Sequence, residues 1–454
     1  MRSGKAPVFT SEVDRRLTAL RERMPGIVLG TLALVMLAAA LVSARTIPYL
    51  LGAVVVGFLV RAAASGRTGD IVHRPLPIHL ALAAFLGWAL VSLTWSEDVR
   101  HGLSKLAVAT VVVLGATAMI VVGRGEDRAN RLHIAEGIWI GLLVGLCYFL
   151  FEILSGQALK IWIYNLLDFE RGELPRDHYY RWRNGDLVYI SPVDLTRNTT
   201  SITLVMWAAM LAALGSLGQR AGRIVAGLVL VLSTVVVALS EQETSKLAIL
   251  AGLATFGAAI FSRVWTARLM LAGWLVACLG AMPLAMAMHR LDLHNAAWVP
   301  PTGQHRIIIW NHTAEQALAS PLLGVGMHST YAIGPSQRPV TRNAPGERLP
   351  RTLSRHAHNI YLQTWFELGA IGALLLSILG VAVLGLIRRL DDAVQPYALA
   401  TFACGAVIGA ASYGMWQIWY MAMYGMAFAV IGLAAQAYAG RPAAANDQRT
   451  EPTR

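Results

Sequence analysis

Apolar runs long enough to cross a bilayer recur along the whole 454-residue chain, and they leave little choice of architecture. A bilayer core asks for ~20 apolar residues per helix, and every backbone N–H and C=O inside it must be satisfied within the element or by protein around it. Twelve such runs stand at roughly 26–43, 46–60, 76–95, 103–122, 133–151, 198–217, 223–239, 245–261, 268–288, 359–386, 395–412 and 417–437. The composition agrees: 56% of the residues are hydrophobic and 14% charged, against about 25% charged in soluble domains. The expected fold class is all-α integral membrane, with about twelve transmembrane helices. One polytopic domain is expected over 26–440, between an N-terminal tail at 1–25 and a polar, disordered tail at 441–454.

Orientation follows from the short loops. Basic connections follow the second, fourth, sixth, eighth and tenth runs, at 61–75, 123–132, 218–222, 262–267 and 387–394, and alternate with connections poorer in Arg and Lys. The positive-inside bias then places both termini and these five loops in the cytoplasm. Two long segments, 152–197 and 289–358, fall on the outer face. Long loops are exempt from the charge rule, so arginines in the second are no contradiction. Within it, Asn311 to Leu323 has a mixed polar and apolar face and is expected to form a helix lying along the membrane surface.

The net charge of +12 is spread between the apolar runs and forms no continuous basic face, which excludes nucleic acid as the partner and leaves membrane lipid. Cys147, Cys278 and Cys404 each sit inside an apolar run, so no disulfide framework is expected. The first 25 residues have no short apolar core before a small-residue cleavage site, so the first helix is expected to be retained.

The chemistry concentrates where a basic loop meets the tenth run. From Arg290 to Arg355 the chain has seven arginines and no lysine, and the loop ends at His356, His358 and Asn359. A histidine at a helix end commonly caps or anchors. Here a second histidine, a neighbouring amide and a set of permanent cations argue for more. Cations beside an imidazole lower its pKa and keep it neutral, which a general base requires. Arg197 lies just before the sixth run, and Arg306 lies in GQHRIIIWNHTAE, after the ninth. A guanidinium is planar, always charged and bidentate toward phosphate, though arginines at span ends also snorkel to headgroups. Lys246 opens the eighth run and is one of four lysines in the chain. This set suits proton transfer on an anionic, lipid-linked substrate. His358 and Arg306 are the expected catalytic residues; Arg197, Lys246, Asn359, His356 and His305 are the expected substrate-binding ones. No acidic pair suited to a hard cation stands on the outer side, so no metal and no cofactor are expected. Pro321-Leu322-Leu323-Gly324-Val325-Gly326 lacks the Lys-Ser/Thr of a phosphate loop and is expected to be a turn that packs the loop on the bundle.

The stretch RIIIWNHTAEQALASPLLGVGMHS, followed after a loop by HAHNIYLQTWFELGAIGALLL, resembles the O-antigen ligase family, whose superfamily also holds O-antigen polymerases and protein O-oligosaccharyltransferases. The matching residues are Arg306, Trp310, Pro321, Gly324, Gly326, His358, Asn359, Gln363, Glu367, Gly369 and Gly372, with Ser245-Lys246 where the family opens a span with Ser-Arg or Ser-Lys. The likeness covers about a third of the chain, from Ser245 to Leu376. It implies about twelve transmembrane helices with a large periplasmic loop between spans nine and ten. It also implies inverting, metal-independent transfer of a glycan from undecaprenyl pyrophosphate to lipid A–core oligosaccharide at the outer face of a bacterial inner membrane. His358 and Arg306 take the family's essential histidine and one arginine; Arg197 or Lys246 takes the other cation. An O-antigen polymerase uses the same donor and is the alternative. A lipid-linked glycan transporter is a second, and it would carry ionisable or broken helices at mid-membrane.

Overall fold

The computed structural model describes residues 9–71, 76–168, 179–333 and 356–440. Sixteen helices are found among them: α1 Phe9–Val42, α2 Ile47–Ala64, α3 Pro77–Ser92, α4 Val99–Arg124, α5 Arg128–Ser155, α6 Ala158–Leu166, α7 Thr196–Ser216, α8 Gln219–Leu239, α9 Glu243–Phe261, α10 Arg263–Leu279, α11 Ala281–Arg290, α12 Pro301–Ala317, α13 Ser329–Ile333, α14 Ile360–Ile387, α15 Gln395–Ala411 and α16 Ile418–Ala439. A single antiparallel hairpin, β1 Tyr180–Arg183 with β2 Asp186–Ile190, lies between α6 and α7.

The chain is an all-α integral membrane protein. By length and composition, ten helices among the described residues are able to cross a membrane. Two of the twelve expected spans fall outside that count, each for a physical reason. The ninth is broken: α10 and α11 meet at Gly280 with a bend of 73°, and together they make an eleventh crossing at most. The eleventh is α15, whose 17 residues are short for a bilayer core. The first helix also starts earlier than expected, at Phe9, through the good helix formers of RRLTALRERM. The five arginines of the second long loop from Arg338 to Arg355, and the tail after 440, lie outside the described residues.

The centre of the bundle is α7, which packs against α5, α8, α15 and α16. Its apolar length is almost wholly buried, with Trp207 donating its indole N–H to Cys404 Sγ at 3.3 Å. Four neighbours cover all sides of α7, so it is buried all round, whereas the peripheral helices bury one stripe. Asn198 donates to the Leu41 carbonyl at 2.8 Å and seals the end of α1.

The helix expected at Asn311 to Leu323 is instead Pro301–Ala317, and residues 318–323 are turns. Pro301 starts it, its fixed φ suiting a first helical position. Ser320-Pro321 follows its end, where proline cannot continue a helix. The shift matters for the site, because it places His305 and Arg306 inside the helix.

The other departure lies in α14. Its helix is broken at Gly369, with φ 65° and ψ −163°, a conformation open essentially to glycine alone. The break strands backbone groups that lipid could not satisfy. The Pro321–Gly326 segment satisfies them: Val325 N–H donates to Phe366 O at 2.9 Å, Gly326 N–H to Glu367 O at 2.9 Å, and Ala370 N–H to Pro321 O at 2.8 Å. Trp88 Nε1–H takes Leu368 O at 2.9 Å. The approach is close enough that a Cβ on Gly324 would lie 2.4 Å from the Glu367 carbonyl carbon, and one on Gly369 would lie 2.2 Å from Leu322 O. The expected turn is therefore a backbone patch over an interrupted span.

Candidate active site

His358 is the last residue before the cap of α14, in the left-handed region at φ 55°. That turn aims its ring away from the helix and toward the α15–α16 connection. Its Nδ1 lies 2.7 Å from the Ser412 carbonyl oxygen. A carbonyl only accepts, so Nδ1 carries the proton and Nε2 presents a lone pair. Burial lowers the imidazole most; the Ser412 carbonyl pulls it back up, and Arg306 and His305 lower it further, leaving it at about 4. The sequence names the arginines as the cause of a neutral ring. The structure makes them secondary to burial.

Asn359 is committed locally. Its Oδ1 accepts from Tyr361 N–H at 3.0 Å and Leu362 N–H at 3.1 Å, which makes it the N-cap of α14. His356 packs edge-on against His358, their ring centroids 4.1 Å apart, and its Cβ abuts Gly414. The two histidines thus share one pocket wall, although a spacing of two need not bring side chains together.

Arg306 comes from the middle of α12 and donates to Thr244 Oγ1 at 3.2 Å; Thr244 in turn donates to Ala411 O at 2.9 Å. Burial pushes the guanidinium down from its ordinary value, and no carboxylate accompanies it among the described residues. Arg197, in the first turn of α7, lies with its guanidinium carbon 5.2 Å above the Trp419 ring. Between these arginines stands Tyr413. Its hydroxyl accepts from Gln242 Nε2 at 3.0 Å and reaches Thr196 Oγ1 at 3.4 Å. Burial raises the phenol most, while its contacts with Thr196 and Thr200 and the charges of Arg197 and Arg306 work against that. Lys246 is differently placed. It pairs with Glu243 at 2.9 Å, and both side chains are partly exposed.

The structure therefore brings His358, His356, His305, Arg306 and Arg197 around one loop, residues 412–417. Asn359 supports from below, and Lys246 stands paired at the edge. The sequence reading missed this loop, which contributes the Ser412 carbonyl and Tyr413. A signal was present: SYGMWQ is a short, polar-aromatic connection between two apolar runs. Below the loop an apolar groove of about 300 Å3 opens between α9, α10, α14 and α15, with Trp274, Tyr361, Phe402 and Ala410 among its walls. Its upper residues, Tyr361 and Ala410, lie three and two positions from His358 and Ser412.

With this geometry in hand, the comparison with known proteins is specific to the same region. Residues 226–377, which hold α9 to the broken part of α14, match the family described as O-antigen ligase. The chain is also 24% identical over 352 residues to a protein of Rickettsia conorii named "Putative polysaccharide ligase", covering 76% of this chain and 77% of that one. A protein of the same name from Rickettsia bellii is 26% identical over 343 residues, covering 74% and 76%. One from Rickettsia felis is 32% identical over 124 residues, covering 27% and 30%. Over residues 226–377, a third of the chain, the sequence is similar to the O-antigen ligase family. The matched segment supplies His358's helix, Arg306 and the turn that patches Gly369. Arg197, Tyr413 and Ser412 lie outside the match.

Proposed function

We propose that the protein transfers a glycan from a polyprenyl pyrophosphate, of the undecaprenyl type, to the lipid A–core oligosaccharide, with inversion and without a metal, at the periplasmic face of a bacterial inner membrane. The observation that carries this reading is the pair formed by a neutral His358, its Nδ1–H held by Ser412 O, and a buried Arg306 that donates to a hydroxyl. His358 Nε2 takes the proton of the acceptor hydroxyl. The freed oxygen attacks the donor's anomeric carbon from the face opposite the pyrophosphate. The bond from that carbon to the pyrophosphate oxygen breaks, and the electron pair leaves with the pyrophosphate. Arg306 stabilises the charge that develops there, and Arg197 faces the same phenol from the other side. The proton on His358 passes to solvent or to the departing phosphate. Lys246 or Arg197 completes the anion site. The groove beside Tyr361 supports a lipid-linked donor, since it gives an apolar chain a path from the bilayer to the reacting end.

Transport is the weaker reading on a specific observation. The broken α14 is of the kind transporters use, but its freed backbone groups are taken up by Pro321, Val325, Gly326 and Trp88, so those are not available to a substrate. The deciding experiment supplies purified protein with carrier-linked glycan and lipid A–core, without nucleotide or divalent metal. Glycan appearing on lipid A–core supports the ligase. Lengthening of carrier-linked glycan alone would make the protein a polymerase. Reporter fusions at Arg128 and Gly303 should lie on opposite sides of the membrane; finding them on one side would end the orientation.

A further inference from the structure

Glu367 is a buried acidic group that the reaction scheme leaves unused. It lies in α14, two residues before the Gly369 break, with its side chain wholly buried. A buried carboxylate is costly unless its oxygens are hydrogen-bonded, and an ionisable group within a membrane helix marks a functional place. Each oxygen has two donors. Oε1 accepts from Thr330 Oγ1 at 2.5 Å and Gln363 Nε2 at 3.0 Å; Oε2 accepts from His328 N–H at 2.9 Å and Trp416 Nε1–H at 2.5 Å. None of these belongs to the patch over the break, which is built of backbone groups and Trp88. The carboxylate ties two segments together. His328 stands just before α13 and Thr330 inside it, in the stretch that follows α12. Trp416 belongs to the 412–417 loop that carries Ser412 and Tyr413, and Gln363 holds the same loop again, accepting from Met415 N–H at 3.0 Å.

We propose that Glu367 is a positioning residue: its carboxylate, directly through Trp416 and through Gln363, fixes the 412–417 loop and with it the Ser412 carbonyl that aims His358. The proposal rests on the reading of His358 as the base. Three of the four donors are obligate: a backbone N–H, an indole N–H and an amide whose oxygen is already engaged. A glutamine at 367 offers one oxygen. On the Trp416 side its NH2 would face two obligate donors. On the other side it would face the Gln363 NH2, and turning Gln363 over would break the bond to Met415 N–H. Either way the loop loses a tie, although the substitution is nearly isosteric.

What a loosened loop changes is the surroundings of His358. The groups around that ring are Arg306 and His305 from α12, His356 from its own segment, and Ser412 O and Tyr413 from the loop. The charges on the flanking helices are Arg197 and the Glu243–Lys246 pair. Glu243 is already paired with Lys246, so water reaching the ring is the main change, and it favours the charged imidazole.

The test uses full-length protein in lipid nanodiscs. The rate at which diethyl pyrocarbonate modifies His358 is followed against pH by peptide mass spectrometry, since only the neutral ring reacts. Transfer kinetics are measured alongside. In Glu367→Gln the midpoint of modification should rise by about one pH unit or more, with kcat down ~10–100-fold and the donor KM within about twofold. Gln363→Met, which removes one tie and keeps the carboxylate, should move the midpoint the same way by less. An unmoved midpoint in both variants overturns the proposal, whatever happens to the rate. If Glu367→Gln does not fold, Gln363→Met decides alone. If His358→Ala keeps full transfer, the base reading fails, but the midpoint still reports whether Glu367 positions the ring.

Discussion

Arginines occur at both ends of this bundle, and they live in different surroundings. At the end formed by the short basic connections, Glu126 receives Arg61 through Nε at 2.9 Å and NH2 at 3.0 Å, and Arg67 as well; Arg263 meets Asp392 at 2.5 Å. At the other end Arg306 is more deeply buried and faces a hydroxyl and a phenol instead of a carboxylate. A cation neutralised by the protein's own acid stabilises a fold. A buried cation set among neutral groups has a desolvation cost that an incoming anion can offset. On the proposed function, this difference separates scaffold arginines from those that would hold substrate, and the sequence does not display it, because the residue type is the same.

The largest expected effect falls on His358. His358→Ala should lower transfer by ~10²–10⁴-fold with folding intact, as for a lost general base. His356→Ala should cost less, since His356 packs on the ring and does not hold its Nδ1. The pH profile sharpens the point. Only the neutral ring accepts a proton, and the ring stays neutral down to about 4. The rate for free enzyme should therefore hold level through neutral and mildly acid solution and fall as pH drops through about 4. A fall centred near the ordinary imidazole value would show an open, hydrated ring.

The next effect tests the arginine contrast directly. Arg306→Ala should cost ~10²–10³-fold in kcat, the scale of one lost transition-state donor. Arg306→Lys keeps the charge and loses the fork, and should still cost about tenfold or more. Full activity in Arg306→Lys would mean that charge alone suffices. Full activity in Arg306→Ala would erase the distinction between the two ends.

How much of this was legible depended on the kind of signal. Spans are written in runs of apolar residues, so α14 and α16 were found almost to their ends. His358 stood out as a histidine at the head of a span and Arg306 as an arginine in the outer loop, and the structure places the two near one another. The break at Gly369 was not found, because one glycine in an apolar helix has the same composition whether or not the helix continues. The patch that permits the break lies over 40 residues upstream. Tyr413 and the Ser412 carbonyl were not found either, since a tyrosine beside a span reads as an interface anchor and a backbone carbonyl has no sequence mark. Asn359 reads in sequence as a substrate ligand, and its Oδ1 caps α14: both roles call for a short amide at a helix start.

At the neutralised end the expected loss is in stability. Burial alone raises the Glu126 carboxyl, and hydrogen bonds from Arg61, Asn130 and Arg67 outweigh it and hold the group below its ordinary value. A depressed carboxyl stabilises above its unfolded value, and that stability fades as pH falls through the folded one. Glu126→Gln should cost about 1–3 kcal/mol, less than a fully buried pair because both arginines are about a quarter exposed. Thermal unfolding in lipid checks it. Transfer per folded molecule should not change; a loss there would mean that this end also serves the reaction.

The smallest effect belongs to Lys246, a cation of the site end that is paired with a carboxylate. It sits one turn from Glu243 at the head of α9, two residues after the threonine that holds Arg306. Position makes it a candidate for the pyrophosphate; pairing makes it a scaffold cation. An exposed pair of this spacing is worth ~0.3–0.5 kcal/mol, so Lys246→Ala should barely move the unfolding temperature. If pairing decides the role, the donor KM should change by less than about threefold, an energy of about 0.6 kcal/mol. Glu243→Gln then adds the complementary measurement, because it releases Lys246 from its acid. Tighter donor binding in Glu243→Gln, with little change in Lys246→Ala, would show that the carboxylate is what keeps this lysine out of the site. A loss in Lys246→Ala equal to that in Arg306→Ala would mean that a cation's place, not its partner, selects it for substrate.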